Sequence, residues 1–109
     1  MAFDETLAER IRKALARKKG ITEKKMFGGI GFLLNGNMCV GVWKESLVVR
    51  LDSEEFEDAL KEAYVSEFNI TGRSMKGWAL IGPQGVATDA ELKEWIGRAV
   101  KFVETLPAK

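Results

Sequence analysis

Phe3, Leu7, Ile11, Ala14 and Leu15 recur at helical spacing, with basic groups over much of the remaining surface. The pattern predicts an amphipathic helix from Phe3 to Lys19. Asp4 and Glu5 stand at its start and Arg17, Lys18 and Lys19 at its end, as the helix dipole favours. Gly20 is a natural stop. The period then changes. Phe27 to Leu34 reads as a strand, Asn35-Gly36 as a two-residue hairpin turn, and Met38 to Trp43 as the returning strand. After the short turn Lys44-Glu45-Ser46, the aliphatic run Leu47 to Leu51 reads as a third strand. Together these make an antiparallel meander.

Asp52 or Ser53 caps a second helix, with Glu55 three places after Asp52 and Phe56, Ala59, Leu60 and Ala63 as its apolar stripe. Ser66 to Ile70 fits either a short strand or an irregular crossing. Met75 to Ile81 is strand-like and is stopped by Gly82-Pro83. Thr88 opens the last helix, with Glu91 completing a capping box. Leu92, Trp95, Ile96, Ala99, Val103 and Leu106 supply one broad apolar face. Three amphipathic helices against an antiparallel sheet give an α+β two-layer sandwich. The 109 residues suffice for one domain with one core. No repeat or low-complexity segment divides them.

Composition narrows the chemistry. The chain has no histidine, which removes the commonest general base near neutral pH and the commonest metal ligand. Its single cysteine, Cys39, stands in an apolar run and reads as a buried, reduced thiol of a cytoplasmic protein. No apolar stretch reaches membrane-crossing length, and charges at Arg10, Arg12 and Lys13 interrupt any signal-like core. The net charge of +1 conceals an asymmetry: residues 1–25 carry eight Lys/Arg against four Asp/Glu, and residues 51–70 one lysine against seven acids. Solvated helix faces account for both runs, and so would an anionic and a basic partner.

Lys25 to Trp43 contains five glycines. A phosphate loop would need a Gly-Lys-Ser/Thr ending before a helix, and a dinucleotide fingerprint a helix after its glycines. Neither context is present. Gly28, Gly29, Gly31 and Gly41 therefore read as strand glycines, which mark a bulge, close packing or the approach of a partner chain. Lys24, Lys25, Arg73 and Lys76 form a candidate anion-binding patch if the last hairpin lies near the first strand. Arg50 is expected to find a structural ion pair or solvent. Arg10, Lys13 and Arg17 share a helical face suited to nucleic acid, but no helix-turn-helix pattern accompanies them. Serines without a histidine, a packed Cys39 and the acidic start of the second helix supply no catalytic set. Tyr64 is expected as a buried ring with a bonded hydroxyl.

The stretch Lys25-Met26-Phe27-Gly28-Gly29-Ile30-Gly31-Phe32, followed by Asn35-Gly36-Asn37-Met38, resembles the N-terminal domain of the TfoX/Sxy family. Leu47-Val48-Val49-Arg50-Leu51 and the helix after Thr88 extend the resemblance over nearly the whole chain. It implies a secretion-chaperone-like architecture with the order α-β-β-β-α-β-β-α, and a bacterial origin. Full-length members linked to competence carry a second, C-terminal domain, for which a chain ending at Lys109 has no room, so a stand-alone domain is expected. Those members act with a cyclic-AMP receptor transcription factor. The family suggests no catalytic residue, cofactor or metal. The expected function is a non-enzymatic interaction or regulatory domain linked to transcriptional regulation. Its partner would be another protein or a second copy, with anion or nucleic-acid binding as the alternative.

Overall fold

The computed structural model describes residues 3–26, 28–68 and 77–108. Helix α1 spans Glu5–Ala14, with Asp4 as its N-cap: the carboxylate accepts from the amides of Thr6 and Leu7. It is shorter at both ends than the apolar spacing predicts. Phe3 instead forms a bridge with Lys44, and residues 15–17 are turn.

An unanticipated strand follows, β1 at Ile21–Met26. Its middle, Thr22-Glu23-Lys24-Lys25, has no apolar alternation because the strand lies at the sheet edge, exposed on both faces. β2 is Gly29–Leu34 and pairs with β1 from Met26↔Gly29 to Ile21↔Leu34. Gly28, expected within the strand, lies in the turn that precedes it. Asn35 and Gly36 both have positive φ, 53° and 85°, as the expected hairpin turn demands.

β3 is Asn37–Trp43, and its register against β2 shifts between Phe32 and Leu33. Phe32 pairs with Val40 and Leu33 with Met38, so Cys39 is the extra residue of a β-bulge. β4 is Ser46–Arg50 and α2 is Ser53–Ala59, which Asp52 caps by accepting from the Glu55 amide at 2.8 Å. β5 is Val65–Glu67 and β6 is Trp78–Ile81. A 3-10 turn at Pro83–Val86 leads to α3, Asp89–Val103, whose Thr88–Glu91 capping box is complete.

The α+β class and the sequence-derived order of helices and strands hold, with β1 added in front. Among the described residues six strands join one antiparallel sheet in the order β1-β2-β3-β4-β6-β5. The helices share one face of it. Ile30, Phe32, Leu34, Val40, Val42, Leu47, Val49 and Ile81 meet Leu7, Ile11, Phe56, Leu92, Trp95 and Ile96 in the main core. Emptying one of these large sites costs about 2–5 kcal/mol. Asn37, the buried polar residue of this region, donates from Nδ2 to the Pro107 carbonyl at 2.9 Å and ties down the chain after α3.

Candidate functional site

Strand alternation sends every second side chain to the face opposite the helices. Register gives one row across that outer face: Lys24, Gly31, Gly41, Val48, Leu80 and Ser66 are successive partners on the six strands. Neighbouring rows add Met26, Leu33, Met38, Trp43, Arg50 and Trp78. A second, smaller apolar cluster forms here. Met38, Val48 and Phe68 are buried within it, and Met26, Trp43, Trp78 and Leu80 pack around them half-buried.

This geometry answers what the glycines do. Gly28 occupies the β1–β2 turn with φ of 76°. Gly29 ends the β1–β2 ladder opposite Met26. Gly31 and Gly41 face each other across β2 and β3. A Cβ on Gly31 would lie 2.6 Å from Met26 Sδ and 3.0 Å from Met38 Sδ. The absent side chain is thus the space into which two methionines settle. Thioether chains on a surface repack readily against different shapes.

The tryptophans are framed by cations. Lys44 Nζ lies 4.6 Å from the centroid of the Trp43 ring, and the Arg50 guanidinium carbon 5.8 Å from that of Trp78. Trp43 also meets Phe68 edge to face, centroids 5.7 Å apart. Of the two outcomes expected for Arg50, an ion pair or solvent, the ion pair does not form among the described residues. Half-buried on the outer face, Arg50 lies over an indole.

Lys24 and Lys25, grouped in the sequence as one patch, are consecutive on β1. Lys24 pairs with Gly31 on the outer face, and Lys25 with Ile30 on the helix face. Arg73 and Lys76 lie outside the described residues. Of the basic face expected on the first helix, Arg10 meets Asp89, while Lys13 and Arg17 hold no acid among the described residues; nearby, Arg12 binds Glu23 through Nε and Nη2, both at 2.9 Å, and also Glu9, and Lys18 beyond the helix meets Glu104. Hydrogen bonds to Glu23 and then Glu9 raise the Arg12 pKa above its ordinary value.

Cys39 is wholly buried in the main core, and desolvation pushes its thiol up to about 12. A thiol so protonated packs and does not attack. Tyr64 departs from expectation: it is 57% exposed, at φ of 67°. The packing of cations over the outer-face tryptophans escaped the sequence reading. A half-exposed strand tryptophan has the same local pattern as a core one, and only register reveals the side.

Among the described residues no helix is long and apolar enough to cross a membrane. No curated protein and no solved structure matches the chain. The family model of the TfoX N-terminal domain matches residues 13–103 of the 109, and the chain therefore belongs to the TfoX N-terminal domain family.

Proposed function

We propose that this chain is a small, non-enzymatic interaction domain of the cytoplasm that acts by reversible association with a protein partner. The observation that carries the reading is the outer face of the sheet. The helices cover the opposite face, yet this one holds half-buried Leu33, Trp43, Trp78 and Leu80 around the methionine pair Met26 and Met38 seated over Gly31. Apolar surface left beside polar edges is a common contact surface. Methionine and tryptophan are enriched at interfaces because one adapts and the other buries a large area at little entropic cost. A role in regulation follows if the partner is itself a regulator.

The test is capture of partners from native lysate, before and after nuclease, by the parent chain and two variants. Leu33→Glu puts a charge on the outer face. Lys101→Glu changes an exposed position on α3. A protein that survives nuclease, disappears with Leu33→Glu and persists with Lys101→Glu is the expected result. Capture that is indifferent to Leu33→Glu, or that vanishes with nuclease, overturns the reading.

A further inference from the structure

Charge is sorted between the two faces of this sheet. All sixteen Asp and Glu residues of the chain fall among the described residues. Two of them belong to strands, and both point to the helix side: Glu23 pairs with Phe32, and Glu67 with Ala79, each a residue of the main core. The others stand on helices or in the connecting segments. The outer face instead presents Lys24 and Arg50, with Lys44 at the β3–β4 turn over Trp43. Among the described residues none of the three lies within 4 Å of a carboxylate. In the helix layer Arg10, Arg12, Lys18 and Arg98 each hold an acid, whereas Lys13, Lys93 and Lys101 hold none among the described residues, so what sets the outer face apart is that no strand carboxylate points to it. An apolar centre is thus bordered by unneutralised cations of one sign.

We infer that the outer face receives an acidic amphipathic segment of a partner protein, with apolar or aromatic residues over Met26, Leu33 and Leu80 and Asp or Glu toward Lys24, Lys44 and Arg50. The inference rests on the interaction reading above and names the partner's chemistry. Two other occupants fit less well. A second copy seated face to face would bring like charges together without an acid to separate them. Single-stranded nucleic acid needs free aromatic faces for stacking. Here Lys44 and Arg50 already lie over the two indoles, and the third ring of the cluster, Phe68, is wholly buried beside Met38 and Val48. Complementary charge at the border of an apolar patch chiefly sets specificity and encounter rate, so salt should weaken the preference.

The experiment is selection from a random linear peptide display library on the purified full chain and on the double variant Lys24→Glu/Arg50→Glu. Folding of each is checked by circular dichroism. Peptides selected by the parent chain are expected to be enriched at least about twofold in Asp and Glu over the input. The double variant should abolish or reverse that enrichment. Re-synthesised acidic peptides should bind on the order of tenfold more weakly to the double variant at low salt, a loss of about 1.4 kcal/mol. Selected peptides with the input's acid content would overturn the inference while leaving an apolar contact surface intact. Failure to select any peptide that Leu33→Glu displaces would remove the interaction reading as well. Two further results would also overturn it: tighter binding of an oligo-dT strand than of any selected peptide, or a dimer in sedimentation that the double variant dissolves.

Discussion

Gly31 and Gly77 show how two identical residues carry different obligations. At Gly31 the atoms that a Cβ would meet are the flexible ends of Met26 and Met38. Replacement by alanine moves two thioethers, and the gain in strand propensity offsets much of that cost. Gly31→Ala should change stability by no more than about 1 kcal/mol in either direction. At Gly77 φ is 91°, and a Cβ would lie 3.0 Å from the Leu51 carbonyl oxygen. Backbone does not yield as methionine does, so Gly77→Ala should cost about 1–3 kcal/mol. Urea denaturation midpoints of the two variants check the difference. Cys39 makes a second residue-scale prediction. Its thiol pKa is higher folded, about 12, than unfolded, near 9, so the native state holds the proton longer. Stability from this group is complete below about pH 9 and falls between about 9 and 12, by up to about 1.4 kcal/mol per unit. Cys39→Ala should show a flatter decline over that window in chemical denaturation, and the native thiol should resist a disulfide reagent at pH 8 until urea exposes it.

Among the elements, α3 is the most fully specified. Its apolar face, Leu92, Trp95, Ile96, Ala99 and Val103, is buried as the spacing predicts, and both capping bonds between Thr88 and Glu91 form at 3.2 Å. Thr88→Ala leaves the first turn with an unsatisfied donor and should cost about 1 kcal/mol, seen as a fall in Tm of about 4–8 °C. β1 is the opposite case. Nothing in Thr22-Glu23-Lys24-Lys25 marks a strand locally, because an edge strand exposed on both faces has no alternation to display. Its place is secured from outside: β2 supplies the ladder, and Arg12 of α1 grips Glu23 with two nitrogens. Similarly, the bulge at Cys39 decides which face receives Met38, and no local signal in the sequence announces it.

Across the whole molecule, Lys24 and Lys25 guard the long open edge of the sheet. Lysines on an edge strand discourage pairing with another chain, since a partner strand would have to desolvate them. Replacing both with valine should leave the fold intact and promote self-association, which light scattering over a concentration series measures. No increase in mass with concentration would mean that the edge is protected by something else. The placement of these lysines on opposite faces also separates two jobs that adjacency in the sequence had merged. One projects to the helix side, and the other borders the outer face where the partner segment is proposed to lie.

What the sequence determined by itself was local. Helical period, caps at Asp52 and Thr88, the Asn35-Gly36 turn and the α+β order all depend on residues a few positions apart, whose geometry follows from backbone sterics and hydrogen-bonding valence. Which face of the sheet each side chain occupies was decided only by tertiary structure. Pairing register couples residues far apart, so it alone brings Gly31 opposite Gly41 and Arg50 opposite Trp78, and directs Glu23 and Glu67 to the helix side. The near-neutral total of +1 conceals that sorting, because a sum of charges keeps no record of position. The cation-bordered apolar face arises from strand pairing, and strand pairing is a property of the folded chain.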